Sequence, residues 1–321
     1  MKIEEIIAYK NGNTLELHKK KINYQEVILI GDILAEDASI DNLDLGSNGI
    51  GDDGAIVIAE ALKAKSNLPS EAGKVGSLIM LQLSSNKIKD KGAIAIASAL
   101  EVNTSLDTFE LNNNQIENNG AIALANALKL NKSLKSIDLA SNRIKDDGAK
   151  AIADALEVNS TLTKLYLNSN QITEQYIKKI SDLIDENKNV SLISDKIFSN
   201  FRASQNLTFD DKELKLINTS PRACEKILTQ LLDKFKTKET EDGIEFKGND
   251  FVENMKGFKV GLTILLNCKD SEVFESLNNP LTVNDFFKGL GVMKDNASKN
   301  NVFAEPNLLL FGLNKILKIN V

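Results

Sequence analysis

Leu106–Ser133, LDTFELNNNQIENNGAIALANALKLNKS, is one turn of a pattern that returns every 28 residues. Leu78, Leu106, Leu134 and Leu162 keep that step, as do Asn86, Asn114, Asn142 and Asn170. So do Gly92, Gly120 and Gly148, and Leu100, Leu128 and Leu156. Within the quoted stretch Leu106, Phe109 and Leu111 alternate with polar residues, the period of a short strand with one buried face. Asn114 follows, and an inward Asn can satisfy backbone groups of the turns on either side. Gly120 is small, as close helix packing requires, and Ala121, Leu124, Ala125 and Leu128 share one helical face. Each unit therefore reads strand, turn, helix, turn. A unit this short cannot bury its own apolar side, so neighbours must stack on a continuous core. The expected class is α/β, a solenoid of 28-residue strand–helix repeats.

The array has irregular edges. The unit with Leu43, Leu45, Asn48, Ile50, Gly54 and Leu62 precedes an insertion near Asn67–Gly76, because Asn48 and Asn86 stand 38 residues apart. Upstream, Leu15, Leu17, Ile22, Ile28 and Leu34 align with Leu43, Leu45, Ile50, Ile56 and Leu62. Lys20 takes the Asn position there, as in a degenerate capping repeat. At the far end Tyr176 and Ile177 replace the Gly-Ala pair, and Val190–Ile193 reads as a last strand. The division expected is a cap at 1–39, repeats at 40–195 and a second unit at 196–321.

The pattern L-x-x-L-x-L-x-x-N-x-I, then G-A-x-x-(I/L)-A-x-A-L, resembles the ribonuclease-inhibitor type of leucine-rich repeat over about residues 12–195. Ran GTPase-activating proteins and the sensor regions of NOD-like receptors share that type. The resemblance implies a curved solenoid with its strands on the concave side, a surface for protein partners.

Composition narrows the function. Net charge is −6 and pI near 5.2, which argues against a general nucleic-acid binder. The only arginines are Arg143, Arg202 and Arg222, so bidentate phosphate recognition has little to draw on. No apolar run approaches membrane-spanning length, the opening MKIEEIIAYK lacks the long apolar run expected of a signal peptide, and two Cys make no disulfide scaffold. Triplets such as Asn103-Thr104-Ser105 fit the glycosylation pattern but fall in repeat turns and read as structural. The expected compartment is cytoplasmic. Lys-, Asn- and Ile-rich usage fits a low-GC genome and, with this fold, the setting of a bacterial effector secreted into a host cytosol. No cofactor or metal is expected.

Twelve of the thirteen Phe lie after residue 195, where the period also ends. Ser220-Pro221 reads as helix cap and first helical residue, with Cys224, Ile227, Leu228, Leu231, Leu232 and Phe235 on one face. Further helices are expected at Phe251–Cys268, Ser271–Leu277, Thr282–Met293 and Pro306–Ile319, making the second unit mainly helical.

Several motifs invite chemistry. Gly49-Ile50-Gly51-Asp52-Asp53-Gly54 matches G-x-G-x-x-G between strand and helix. Its repeat equivalents are Lys87, Gln115 and Arg143 for Gly49, and Lys89, Glu117 and Lys145 for Gly51. A turn with carboxylates at a helix N-terminus is the better reading. His18 is the sole histidine and reads as an edge residue. Cys268-Lys269-Asp270 resembles the C-x-D motif of bacterial ubiquitin ligases that join a leucine-rich domain to a helical catalytic domain. That resemblance implies a thioester-forming Cys268 assisted by Asp270. The region after 196 is shorter than that domain, however, the repeats are of a longer type, and Cys268 also fits the end of a buried helix. Arg143 invites comparison with the essential Arg of Ran activators, yet it falls at a variable turn position.

The surface favoured for binding is the concave face, where residues between the buried leucines form three columns. They are Asn42, Met80, Thr108, Ser136 and Lys164; Asp44, Gln82, Glu110, Asp138 and Tyr166; and Gly46, Ser84, Asn112, Ala140 and Asn168. The central column is acidic and suits a protein partner with a basic segment, with Tyr166 and Met80 as apolar anchors. The reading is a protein-interaction module rather than an enzyme. The alternatives are a ligase-like or other enzyme with its site in the C-terminal unit, and a regulator of a small GTPase.

Overall fold

The computed structural model describes residues 2–66, 78–203 and 209–236. A helix, α1 (Ile3–Ile7), leads into a hairpin of β1 (Lys10–Asn11) and β2 (Thr14–Glu16), turned at Gly12 with φ +58°. Strands and helices then alternate: α2 (Tyr24–Glu36), β3 (Asn42–Asp44), α3 (Gly51–Ser66), β4 (Met80–Gln82), α4 (Asp90–Leu100), β5 (Thr108–Glu110) and α5 (Asn118–Leu130). β6 (Ser136–Asp138), α6 (Asp146–Val158), β7 (Lys164–Tyr166) and α7 (Glu174–Ala203) continue the series. The sheet runs β1 to β7 in chain order, parallel from β2 onward. Its register is the one the 28-residue period dictates. Leu15, Leu43, Leu81, Phe109, Ile137 and Leu165 stand side by side, all buried except half-buried Leu165.

The helices close the other side of the core. Ala121, Leu124, Ala125 and Leu128 are buried as one face. In the capping unit Leu15, Leu17, Ile22 and Leu34 are buried; Ile28 there and Ile56 in the next unit are half-buried, and Ile30 and Ile58 fill the core instead. The glycine column has a steric cause. A Cβ on Gly120 would sit 2.7 Å from Asp90 Oδ1, 2.8 Å from Ile116 Cγ2 and 3.0 Å from Ala93 Cβ, too close for any side chain.

Three sets of side chains tie each repeat to the next. Asn114 is buried; its Oδ1 accepts from Asn86 N and Ile88 N at 3.0 Å each. Its Nδ2 donates to Leu83 O and Leu111 O at 3.0 and 2.9 Å. Asn48, Asn86, Asn142 and Asn170 repeat this role. A second ladder lies at the helix C-termini. Asn131 donates to Leu100 O and Asn103 O and accepts from Ser133 N and Leu134 N; Asn159 repeats it. The Asn103 triplet is thus structural, its Oδ1 accepting from Ser105 N and Leu106 N. One unit earlier Lys65 stands in that column and donates to Leu34 O, Asp37 O and Ile40 O. Burial pushes its pKa down, against the opposing pull of the Asp37 and Asp41 charges. The third set caps helices from the preceding repeat. α4, α5 and α6 have no side-chain cap of their own. Asp52 accepts from Lys89 N and Gly92 N, Asp90 from Glu117 N, and Asn118 from Lys145 N and Gly148 N. These acceptors satisfy donors that a helix start leaves orphaned.

The compact units divide at Asp185/Glu186, inside α7 and ahead of the composition change at 196. Val190–Ile193 is not a strand: it lies within α7. No Gly or Pro interrupts Glu174–Ala203, and Val190, Ile193 and Ile197 are buried at helical spacing. In the second unit α8 (Asp211–Thr219) and α9 (Pro221–Lys236) follow. Ser220 caps α9 as the sequence predicts, its Oγ accepting from Ala223 N. Cys224, Ile227 and Leu231 are buried. Arg222 grips Glu186 with Nε and Nη2 at 3.0 and 2.7 Å. Lys226 donates to Glu186 and Asn187; burial lowers its pKa to about 8, with Glu186 opposing that shift and Arg222 adding to it. The helices expected from Phe251 onward lie outside the described residues.

Candidate functional site

The face of the sheet opposite the helices carries the three columns, and strand register fixes their neighbours. Asp44, Gln82, Glu110, Asp138 and Tyr166 are partners across successive strands, as are Asn42, Met80, Thr108, Ser136 and Lys164. In the first two columns all but Lys164 and Tyr166 are half-buried, and those two are exposed. In the third, Gly46 and Ala140 are buried, Ser84 and Asn112 half-buried and Asn168 exposed. Part of the acidic column also serves the backbone. Asp44 accepts from Gly46 N and Asp138 from Ala140 N, both at 2.8 Å. Ser84 Oγ donates to Asn112 at 2.6 Å.

The columns extend one repeat further upstream than sequence reasoning took them. Thr14 pairs with Asn42 and Glu16 with Asp44. Lys19 N donates to Gly46 O, which sets His18 beside Gly46. The signal was present: Leu15 and Leu17 align with Leu43 and Leu45, so Glu16 must fall next to Asp44. His18 Nδ1 stands 3.6 Å from Asp44 Oδ1, with the imidazole 46% exposed. It is an edge residue, as expected, but on the columned face.

The tempting motifs resolve structurally. Asn48 N, Gly49 N and Ile50 N all donate to Asn86 Oδ1. The amides a pyrophosphate would need are therefore committed to the ladder. Gly49 and Gly51 have φ of +75° and +64°, a region that glycine enters without steric cost, although Lys87 takes φ +62° at the position equivalent to Gly49. Arg143 is an exposed turn residue, its N–H on Ile116 O and its guanidinium 3.8 Å from Glu117. Cys268 and Asp270 lie outside the described residues. Among the described residues no helix is long and apolar enough to cross a membrane, and no three His, Cys, Asp or Glu gather as for a metal ion. A further surface feature follows the repeat: Val102, Leu130 and Val158, near the ends of α4, α5 and α6, form a row of exposed aliphatics.

The family model described as "Leucine Rich repeat" matches residues 42–59, 77–97, 102–125, 130–153 and 158–174. The chain carries leucine-rich repeats. Its matched segments follow the strand–helix units, and the leucine-rich-repeat solenoid is the fold of the first unit. No curated protein matches the sequence. Among solved structures, "Leiomodin-1 Actin-Binding Site 2 (ABS2)" matches at 19% identity, over 57% of this chain and 98% of that one, with a TM-score of 0.46.

Proposed function

We propose that this leucine-rich-repeat chain is an interaction module that binds a protein partner on the open face of its sheet, through a segment rich in Lys or Arg. The observation that carries the reading is the second column. Glu16 and Asp44 are neighbours on paired strands, and so are Glu110 and Asp138. Paired strands lie about 4.8 Å apart, and like charges directly opposite destabilise a sheet. Lys164 is the only cation in the three columns. A partner's cations would relieve that repulsion, while the preformed strands keep the ordering cost low. The ribonuclease-inhibitor subtype, and the setting of a bacterial effector in a host cytosol, belong to the same proposal; they rest on the repeat pattern and composition.

The test uses an octa-arginine peptide. The substitutions Asp44→Asn, Glu110→Gln and Asp138→Asn together keep acceptors for Gly46 N and Ala140 N. They should weaken binding about tenfold at low salt, with the difference shrinking as salt rises. Glu36→Gln, Glu101→Gln and Asp147→Asn together change net charge equally at exposed positions off the strands and should have much less effect. Equal loss in both triple variants would move the site off this face.

A further inference from the structure

We infer that the outer edge of β7 is a self-association surface. A second copy of this chain adds its own β7 there, antiparallel, about a two-fold axis at Leu165. This goes beyond the binding of a basic segment and does not depend on it.

The edge lacks what every earlier strand of the array has. Leu139 N donates to Tyr166 O and Ser141 N to Asn168 O, and Ile144 N donates to Asn170 Oδ1. The counterparts of these donors, 28 residues on, are Leu167 N, Ser169 N and Ile172 N. Among the described residues none of the three has an acceptor. The side chains tell the same story. Ile137 and Ile144 are fully buried, whereas Leu165 and Ile172, in the same places one repeat later, are half-buried. Open backbone donors beside partly covered apolar side chains form a template for a pairing strand.

The register selects a second copy. Lys164 N donates to Lys135 O, and Tyr166 O accepts from Leu139 N, so these two residues direct their backbone toward β6. Successive residues of a strand turn their backbone groups to opposite sides, so those of Leu165 face outward. A two-fold axis at Leu165 pairs it with Leu165 of the partner subunit through two hydrogen bonds. It also brings each Leu167 N–H to a Thr163 carbonyl across the axis. Thr163 N is already on Lys135 O, so only its carbonyl is needed. Lys164 then stands opposite Tyr166 of the partner subunit, and Tyr166 opposite the partner's Lys164. Both side chains are exposed. Antiparallel residues opposite one another without mutual hydrogen bonds have Cα atoms about 4.5 Å apart, which lets an ammonium reach an aromatic ring. A two-fold interface has to complement itself in this way. Head-to-tail stacking has no matching edge, because at the other end of the sheet β1 covers β2 with an antiparallel strand. Opposite residues of an antiparallel pair share a face, so the two columned faces become one continuous surface.

Sedimentation velocity of the full chain at rising concentration should show a monomer–dimer equilibrium, weak because β7 is short. Tyr166→Lys sets Lys opposite Lys and should weaken dimerisation at least about tenfold. Tyr166→Lys combined with Lys164→Glu sets opposite charges across the axis and should restore it. The single variant is less negative than wild type and the double variant more negative, so general charge repulsion predicts the reverse order. Hydrogen exchange at the Leu165 and Leu167 amides should slow as the dimer forms. A chain that stays monomeric at every concentration overturns the proposal. So does a dimer that Tyr166→Lys leaves intact, or one that the added Lys164→Glu fails to restore.

Discussion

Replacing Asn114 by Ala probes what couples one repeat to the next. The side chain gives two buried N–H groups, of Asn86 and Ile88, their acceptor, and donates to the carbonyls of Leu83 and Leu111. Leu111 O also accepts from Asn142 Nδ2, so it is not orphaned by the change. The two amides are. Each buried, unsatisfied donor costs roughly 1–3 kcal/mol, giving about 2–6 kcal/mol in all. Entry of a water would bring the loss toward the lower half, so about 3 kcal/mol is expected. For a unit of this size that lowers Tm by roughly 6–12 °C. Urea unfolding followed by far-ultraviolet circular dichroism measures the free energy, with Lys132→Ala, an exposed turn residue, expected within ~0.5 kcal/mol of wild type. A loss below that figure for Asn114→Ala would show that the ladder does not hold the turns together.

Gly120→Ala should destabilise by about 1–3 kcal/mol through overpacking, since Asp90, Ile116 and Ala93 all stand within 3.0 Å of the new Cβ; an unchanged urea midpoint would contradict the close approach of α4 and α5. Asp37 tests its ion pair with Lys10, whose Nζ stands 2.7 Å from Asp37 Oδ2. Burial alone would raise its carboxyl, but Lys10 and Ser39 bring it from 3.8 to about 2. A depressed carboxylate contributes stability that is complete above the unfolded value and lost as pH falls through the folded one. Asp37→Asn should therefore cost about 1 kcal/mol at pH 7 after solvent screening, with the difference from wild type fading between pH 4 and pH 2 (approximate bounds from those two values). Paired melts across that range would settle it, and a constant difference would remove Asp37's charge from the account.

Much of this architecture follows from the sequence because a repeat turns one-dimensional spacing into position. Once Leu81, Phe109 and Ile137 share a phase, their strands pair in register, and the residues between them fall into columns without further information. The same logic reached the inward Asn114 and the glycine column. It stopped where a residue's partner lies in another repeat or where a local rule competes. Val190–Ile193 looks like a strand by residue type, but an uninterrupted helical stretch from Glu174 carries it into α7. Asp52 looks like a residue for its own helix, but its carboxylate caps the next one. Lys65 breaks the Asn column in sequence, yet its ammonium reaches carbonyls equivalent to those Asn131 bonds. Tyr9 and Lys20 meet only in the tertiary structure, because β1, outside the repeat, turns back on β2. Spacing along the chain determines which face a side chain takes; only the stacked backbone decides which buried donors and acceptors it can reach.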